Sequence, residues 1–313
     1  MHKSNLRIVF LGTPDFAVQP LQALVEAGFN IVAVVTAPDK PAGRGMQIQQ
    51  SPVKKFALNN AIPVLQPTKL KSPEFLAELK SYQADLQVVI AFRMLPEQVW
   101  NMPQLGTVNL HASLLPDYRG AAPINWAIIN GEKITGVSTF LLKHEIDTGD
   151  IIKKQEVTIG ENTTAGELHD TLMLVGAKLI VETVTAIANG KYETTPQGAA
   201  SNKIAPKIFT EQCKINWNNS GQKVFDLIRG LSPYPGAFTT LEGKIFKIYQ
   251  CNIELDKHGL QTGEVQINTG KNGYIRFAVM DGWVYANDVQ LQGKKRMKTE
   301  ELLRGWRVNN ANT

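Results

Sequence analysis

Two residues in the run Thr107-Val108-Asn109-Leu110-His111 carry side chains suited to work on a polar bond, a carboxamide and an imidazole. The run reads as a strand, and strand residues two apart point to the same side, so Asn109 and His111 share a face. An amide donates to a developing oxyanion without titrating, and an imidazole donates or exchanges a proton near neutral pH. At the carboxyl end of an open α/β sheet, where such folds bind ligands, the two groups converge on one small volume. A polar strand end with a satisfied histidine fits the same spacing. Further on, His144-Glu145-Ile146-Asp147-Thr148-Gly149-Asp150 gathers three carboxylates and a histidine about a turn, with Gly149 expected to supply unusual backbone angles. Asp147 is suited to orient or ionise His111, though an Asp-Thr-Gly turn is also a common solvent-exposed connection. His2, His144, His169 and His258 have no partner pattern, and no Cys/His spacing implies a metal.

Two loops stand out by length. Residues 112–123, with Ser113-Leu114-Leu115-Pro116 and Arg119-Gly120, separate the strand from a helix beginning near Ile124. Ordinary strand-to-helix connections run about two to six residues, so this one suits a shaped ligand wall. Residues 38–50 hold Lys40 and Arg44 among glycines, a composition that fits either a phosphate-gripping loop that orders on binding or a mobile surface loop.

The elements that must carry these residues alternate. Leu6–Leu11 reads as a strand, Phe16–Val25 as a helix stopped by Gly28, and Ile31–Val35 as a second strand. Ser51-Pro52 and Ser72-Pro73 each pair an N-cap residue with a proline at the first helical position. Val88–Ala91 and Thr107–Leu110 are nearly continuous apolar runs, as parallel strands covered on both faces require. Gly136–Leu142 and Ile151–Val157 follow as strands and Thr164–Asn189 as a long helix. The fold expected is α/β, a Rossmann-like mostly parallel sheet with helices on both faces, plus a smaller C-terminal OB-like β-barrel domain. The barrel strands are expected at Thr239–Leu241, Lys244–Tyr249, Glu264–Ile267, Tyr274–Val279 and Trp283–Tyr285, after a short helix capped by Ser220 and running through Arg229, and a rigid Leu231–Gly236 turn. At 313 residues two domains are expected, over 1–190 and 208–313, with the polar stretch 191–207 as linker.

Composition is that of a soluble protein, 43% hydrophobic and 19% charged, without an apolar run of membrane-spanning length or a secretory signal, so a cytoplasmic location is expected. Cys213 and Cys251 are too few for a disulfide framework and read as buried or inert thiols. Residues 208–313 hold 14 Lys/Arg against 10 Asp/Glu and so most of the net +5, which weakly favours a polyanionic partner there.

Asn109-Leu110-His111, Ser113–Pro116 with Arg119-Gly120, and Asp147-Thr148-Gly149-Asp150 together resemble the formyltransferases that use 10-formyltetrahydrofolate. Gly12-Thr13-Pro14-Asp15-Phe16, Pro38–Gly45 and Ser51-Pro52-Val53-Lys54 are similar in particular to the members that act on methionyl-initiator tRNA. The resemblance spans nearly the whole chain. It implies that Asn109, His111 and Asp147 are catalytic, and that Ser113, Leu114, Leu115 and Pro116 bind the folate co-substrate. It further implies that Phe92, Arg93 and Met94 flank the folate pocket, and that Lys40, Gly43 and Arg44 engage the acceptor end of the tRNA. Ala91-Phe92-Arg93-Met94-Leu95-Pro96 departs from the Ala-Tyr-Gly that many members place before Leu-Pro. Met46–Gln50 lacks lysines that relatives often carry, leaving more of the phosphate role to Arg44. No membrane and no obligate protein partner are implied.

Two other readings compete. A formyltransferase acting on an amino sugar nucleotide or a purine precursor would share the folate site but leave the second domain and the Arg44 loop unexplained. A non-catalytic RNA-binding protein would explain the basic C-terminal third and leave Asn109, His111 and Asp147 without a purpose. A dinucleotide-dependent dehydrogenase is disfavoured, because Gly12-Thr13-Pro14 stands where G-x-G-x-x-G would follow the first strand.

Overall fold

In the computed structural model, which describes residues 5–42, 47–199 and 201–306, the first half of the chain alternates strand and helix as its apolar pattern requires. β1 (Arg7–Gly12), α1 (Val18–Glu26) and β2 (Asn30–Val35) are followed by the short β3 (Lys40–Ala42) and β4 (Gln47–Gln49). Next come α2 (Pro52–Asn59), β5 (Val64–Leu65), α3 (Pro73–Ser81), β6 (Leu86–Ile90), α4 (Glu97–Trp100) and β7 (Thr107–His111). β8 (Arg119–Gly120), α5 (Pro123–Ile129), β9 (Ile134–Leu141), β10 (Ile151–Thr158), α6 (Ala165–Ala188) and β11 (Ile204–Ala205) complete this part. Ser51 and Ser72 each accept a backbone N–H at the start of α2 and α3, with proline at the first helical position, as their sequence signals indicate.

Seven strands form one sheet in the order β10-β9-β7-β6-β1-β2-β5. β1, β2, β5, β6 and β7 pair in parallel, and β9 and β10 run antiparallel at one side. Every residue of β6 is buried, including Gln87, because a parallel strand in mid-sheet has both faces covered. Strand order reverses at β1: the chain first adds β2 and β5 on one side, then β6 and β7 on the other. That is the switch-point arrangement that opens a crevice at the carboxyl ends of the strands.

Residues 38–50, expected as an irregular loop, contain the antiparallel ladder of β3 and β4, with Lys40 opposite Gln49 and Pro41 opposite Ile48. No unbroken apolar run of membrane-spanning length is expected, and α6 contains none, because Glu167, Asp170, Lys178 and Glu182 interrupt it; its 24 residues are nevertheless long and apolar enough by length and mean composition to cross a membrane. It behaves as a core helix: Gly176 lies over the Leu110 side chain of β7, and the buried Thr183 and Thr139 hydroxyls hydrogen-bond at 2.8 Å.

α7 (Gly221–Gly230) starts at Ser220, whose side chain accepts from the Lys223 N–H. β12 (Ala237–Leu241), β13 (Lys244–Leu255), β14 (Val265–Asn268), β15 (Tyr274–Val279), β16 (Gly282–Leu291), β17 (Met297–Lys298) and α8 (Thr299–Arg304) follow. The strands are antiparallel, in the order β12-β13-β16-β15-β14, with β17 on β16. β13 runs six residues beyond Tyr249, and β16 six beyond Tyr285. Register shifts around Gln250 interrupt the alternation of β13 that sequence reading relies on. In β16 the pair Asn287-Asp288 looks like a turn, but Asp288 is neutralised in place by Arg296 at 2.8 Å and Lys298 at 3.6 Å. Phe246, Ile248, Phe277 and Val289 are fully or nearly fully buried and centre this domain's core, which also takes in Cys213 and Cys251. Burial pushes both thiols up, leaving them protonated.

Close packing groups the described chain into two units. One runs to Gly120 and includes Ile134–Thr158 and His169–Ala205; the other comprises Ala121–Lys133, Ile159–Leu168 and the chain from Pro206. In the first, Phe140 is fully buried and packs with Leu115 and Ile151 beneath residues 113–116. Phe140→Ala is expected to lower unfolding stability by about 3–5 kcal/mol in urea titration, a cost set by lost burial and the cavity left behind.

Candidate active site

β7 ends in register with β6, with Ile90 opposite Leu110, so Asn109 and His111 stand at the carboxyl edge of the parallel strands. The segment after β7 then folds back over the imidazole. Tyr118, in the left-handed region at φ 59°, presents its carbonyl to His111 Nε2 at 2.9 Å, and because a carbonyl only accepts, Nε2 is the donor in that hydrogen bond. His111 Nδ1 lies 3.8 Å from Asp147 Oδ2, within ion-pair range but beyond direct hydrogen bonding. Both side chains are nearly enclosed, at 8% and 12% exposure. Asp147 Oδ2 also accepts the Gly120 N–H at 3.1 Å. The Asn109 carboxamide is half-buried, and among the described residues it has no hydrogen-bond partner, so its donors are open to a ligand.

The backbone strain in the 142–150 loop falls on Asp147, at φ 55°, and not on Gly149 as the sequence suggested. Gly149 is required for a different reason: a Cβ there would sit 1.6 Å from the Leu141 carbonyl oxygen. Asp is among the few residue types that occupy left-handed backbone with any frequency.

Residues 113–116 divide by orientation. Ser113 and Leu115 are fully buried and anchor the segment. Ser113 Oγ donates to the Asp117 carbonyl at 2.6 Å; Ser138 Oγ donates to the Ser113 carbonyl at 2.7 Å and accepts the Leu115 N–H at 3.1 Å. Lys154 Nζ donates to the Leu115 carbonyl, and the Leu115-Pro116 bond is cis. Leu114 and Pro116 remain half-exposed.

Residues 92–94 follow β6 at the same edge. Phe92 packs against the core, Arg93 donates to the Pro67 and Thr68 carbonyls, and Met94 is 73% exposed. Lys40 is exposed on β3. Gly43 and Arg44 lie outside the described residues.

Residues 6–184 match the family model described as formyl transferase, and residues 207–307 the one described as formyl transferase, C-terminal domain. The chain belongs to the formyl transferase family. It is 53% identical to a methionyl-tRNA formyltransferase of Bacteroides fragilis, over 99% of this chain and 98% of that one. It is 50% identical to a methionyl-tRNA formyltransferase of Flavobacterium johnsoniae, over 96% of each. Solved structures share the fold at lower identity. An N-formyltransferase from Helicobacter canadensis, in complex with folinic acid and dTDP-3-aminofucose, is 22% identical at a TM-score of 0.66, covering 89% of this chain and 98% of that one. HypX from Aquifex aeolicus in complex with tetrahydrofolic acid is 19% identical at a TM-score of 0.65, and the match spans 96% of this chain but 47% of HypX.

In this formyl transferase, sequence reading missed three groups that shape the site. Ser138 is an unremarkable strand serine by its sequence. Gln197 lies in a polar stretch without periodicity, yet its side-chain amide donates to the carbonyls of Asp147 at 2.8 Å and Gly149 at 2.7 Å. The third is a closed set at the base of the β3–β4 ladder. Lys54 Nζ donates to Asp39 Oδ2 at 2.6 Å and Gln66 Oε1 at 2.7 Å, while Gln66 Nε2 donates to Asp39 Oδ1 at 2.8 Å. The Thr36 and Ser51 hydroxyls close the same base at 2.8 Å.

The Lys54 hydrogen bond, then that of Gln66, holds the Asp39 carboxyl below its ordinary 3.8. A depressed carboxylate contributes stability above its unfolded pKa and loses it as pH falls through the folded value. The stability difference between wild type and Asp39→Asn is therefore expected to be full above about pH 5 and to vanish toward pH 2, measured by urea midpoints across that range.

Proposed function

We propose that this chain transfers the formyl group of 10-formyltetrahydrofolate to the α-amine of methionyl-initiator tRNA. The observation that carries the reading is the 53% identity with a methionyl-tRNA formyltransferase over nearly the full length of both chains. It includes the C-terminal β-domain as well as the α/β unit. The enclosed pairing of His111 with Asp147 at the carboxyl edge of the sheet supports it independently.

In this reading Asn109, His111 and Asp147 are catalytic. The methionyl amine attacks the formyl carbon as a neutral nucleophile, negative charge grows on the formyl oxygen, and the bond from that carbon to the folate nitrogen then breaks. Asn109, with its open amide, and His111 stabilise the oxygen. Tyr118 occupies His111 Nε2, so the nitrogen left for chemistry is Nδ1, on the Asp147 side. Asp147 holds the charge state of the ring and helps carry the amine proton away, through water across the 3.8 Å gap.

Leu114 and Pro116 face the folate, with Ser113 and Leu115 fixing them from beneath, and Phe92, Arg93 and Met94 border the same edge. Lys40, Gly43 and Arg44 meet the acceptor end of the tRNA, and the Asp39–Lys54–Gln66 set fixes the chain where β3 begins, next to Lys40. Residues 1–190 form the catalytic domain, 191–207 the connection, and 208–313 a domain assisting tRNA binding. The chain works in the cytoplasm and needs no metal and no obligate protein partner.

Purified protein incubated with 10-formyltetrahydrofolate and methionyl-initiator tRNA is expected to yield formylmethionine after deacylation, and His111→Ala to lose about 100-fold or more in kcat. No product from folded wild-type protein would reject the acceptor and turn attention to amino sugar nucleotides. Reversing Lys294, Lys295 and Arg296 to Glu is expected to weaken tRNA binding and to flatten its dependence on salt, read from Kd across a salt series.

A further inference from the structure

Asp147 faces His111 from a backbone in the left-handed region, a strained conformation for a non-glycine residue that persists where the surroundings over-determine it. Those surroundings centre on one side chain. Gln197 Nε2 places one hydrogen on the Asp147 carbonyl and the other on the Gly149 carbonyl, at 2.8 and 2.7 Å, and so spans the turn from one side to the other. Its Oε1 accepts from Arg119 Nε at 3.1 Å and Nη2 at 2.6 Å. Arg119 in turn precedes Gly120, whose N–H holds the Asp147 carboxylate at 3.1 Å. The amide is used in full, two donors on two carbonyls and its oxygen on a guanidinium, and the reverse orientation would set like groups together at every contact.

The chain around Gln197 is itself fixed to the same unit. Thr195 and Ile151 exchange backbone hydrogen bonds at 2.8 and 2.9 Å, the Tyr118 N–H donates to the Lys203 carbonyl at 2.7 Å, and β11 pairs with β8 at Ile204–Arg119 and Ala205–Gly120. The stretch expected to be a plain linker is thus strapped across the two loops that carry the carboxylate and its N–H donor.

We propose that Gln197 is the positioning residue of this site, locking the left-handed turn at Asp147 so that its carboxylate faces His111. Glutamine alone meets the need: glutamate keeps the contact with Arg119 but turns both donors into acceptors against two carbonyls, and a cation would oppose Arg119. The consequence for turnover rests on the formyl-transfer reading; the consequence for His111 does not.

The test compares wild type, Gln197→Glu, Gln197→Ala and Asp147→Asn in full-length protein by steady-state kinetics, thermal unfolding and side-chain NMR of His111. Both Gln197 variants are expected to stay folded and to lose about 10- to 100-fold in kcat, with KM for folate and for tRNA within about twofold. Their His111 resonances are expected to move in the direction seen in Asp147→Asn. Unchanged kcat in Gln197→Glu, a loss confined to KM, or His111 resonances that stay at wild-type positions would each overturn the proposal. Should wild type formylate no acceptor, the formyl-transfer reading fails, and the NMR comparison still decides the role of Gln197.

Discussion

An imidazole and a carboxylate 3.8 Å apart, both nearly closed off from water, form the contact on which the rest of this site depends. A charge in such surroundings is costly unless other groups hold it, and the structure supplies those groups from the backbone: the Gly120 N–H for the carboxylate and the Tyr118 carbonyl for the ring. Both belong to the segment that follows β7. The turn that brings Asp147 to the ring is a left-handed one, and it is held from behind by a side-chain amide. Strain at one residue is thereby balanced by several hydrogen bonds, the usual condition for keeping strained backbone at a working site.

The parallel sheet makes this possible by being unyielding. β6 is buried along its whole length and β7 at every residue but the half-buried Asn109, and their register puts Asn109 and His111 at the carboxyl edge, where the connections after β2, β6 and β7 also emerge. The same edge holds the Asp39–Lys54–Gln66 set and the segment 92–94. Ser138 on β9 ties residues 113–115 to the sheet through two hydrogen bonds, so the loop after β7 is pinned over Phe140 and Ile151 by polar and apolar contacts together. In physical terms the sheet fixes the reacting groups and the loops adjust what surrounds them.

Much of this was legible in the sequence because it rests on local chemistry. Period-two and near-helical spacings gave the alternating elements, and Ser51-Pro52 and Ser72-Pro73 gave two helix starts to the residue. Asn109 and His111 were legible as a pair because strand geometry alone puts them on one side. What escaped was non-local. Asp147 was a candidate, but its left-handed backbone looked as though it belonged to Gly149, since only the approach of Leu141 shows why a glycine stands there. Gln197 is 50 residues from Asp147, in a stretch whose polarity resembles a linker, and nothing in its neighbours announces a contact at that distance. β13 and β16 were read too short because a register shift and a buried Asp288 break the alternation, and both are settled by partners on other strands.

The claim that His111 and Asp147 act as one unit is tested most directly by a double-mutant cycle on kcat, using His111→Ala, Asp147→Asn and the double variant. Groups that work through each other are strongly non-additive, so the double variant is expected to lose about as much as His111→Ala alone. Losses that multiply, with each substitution costing the same factor whether or not the other is present, would show that the two side chains act independently and would contradict the account.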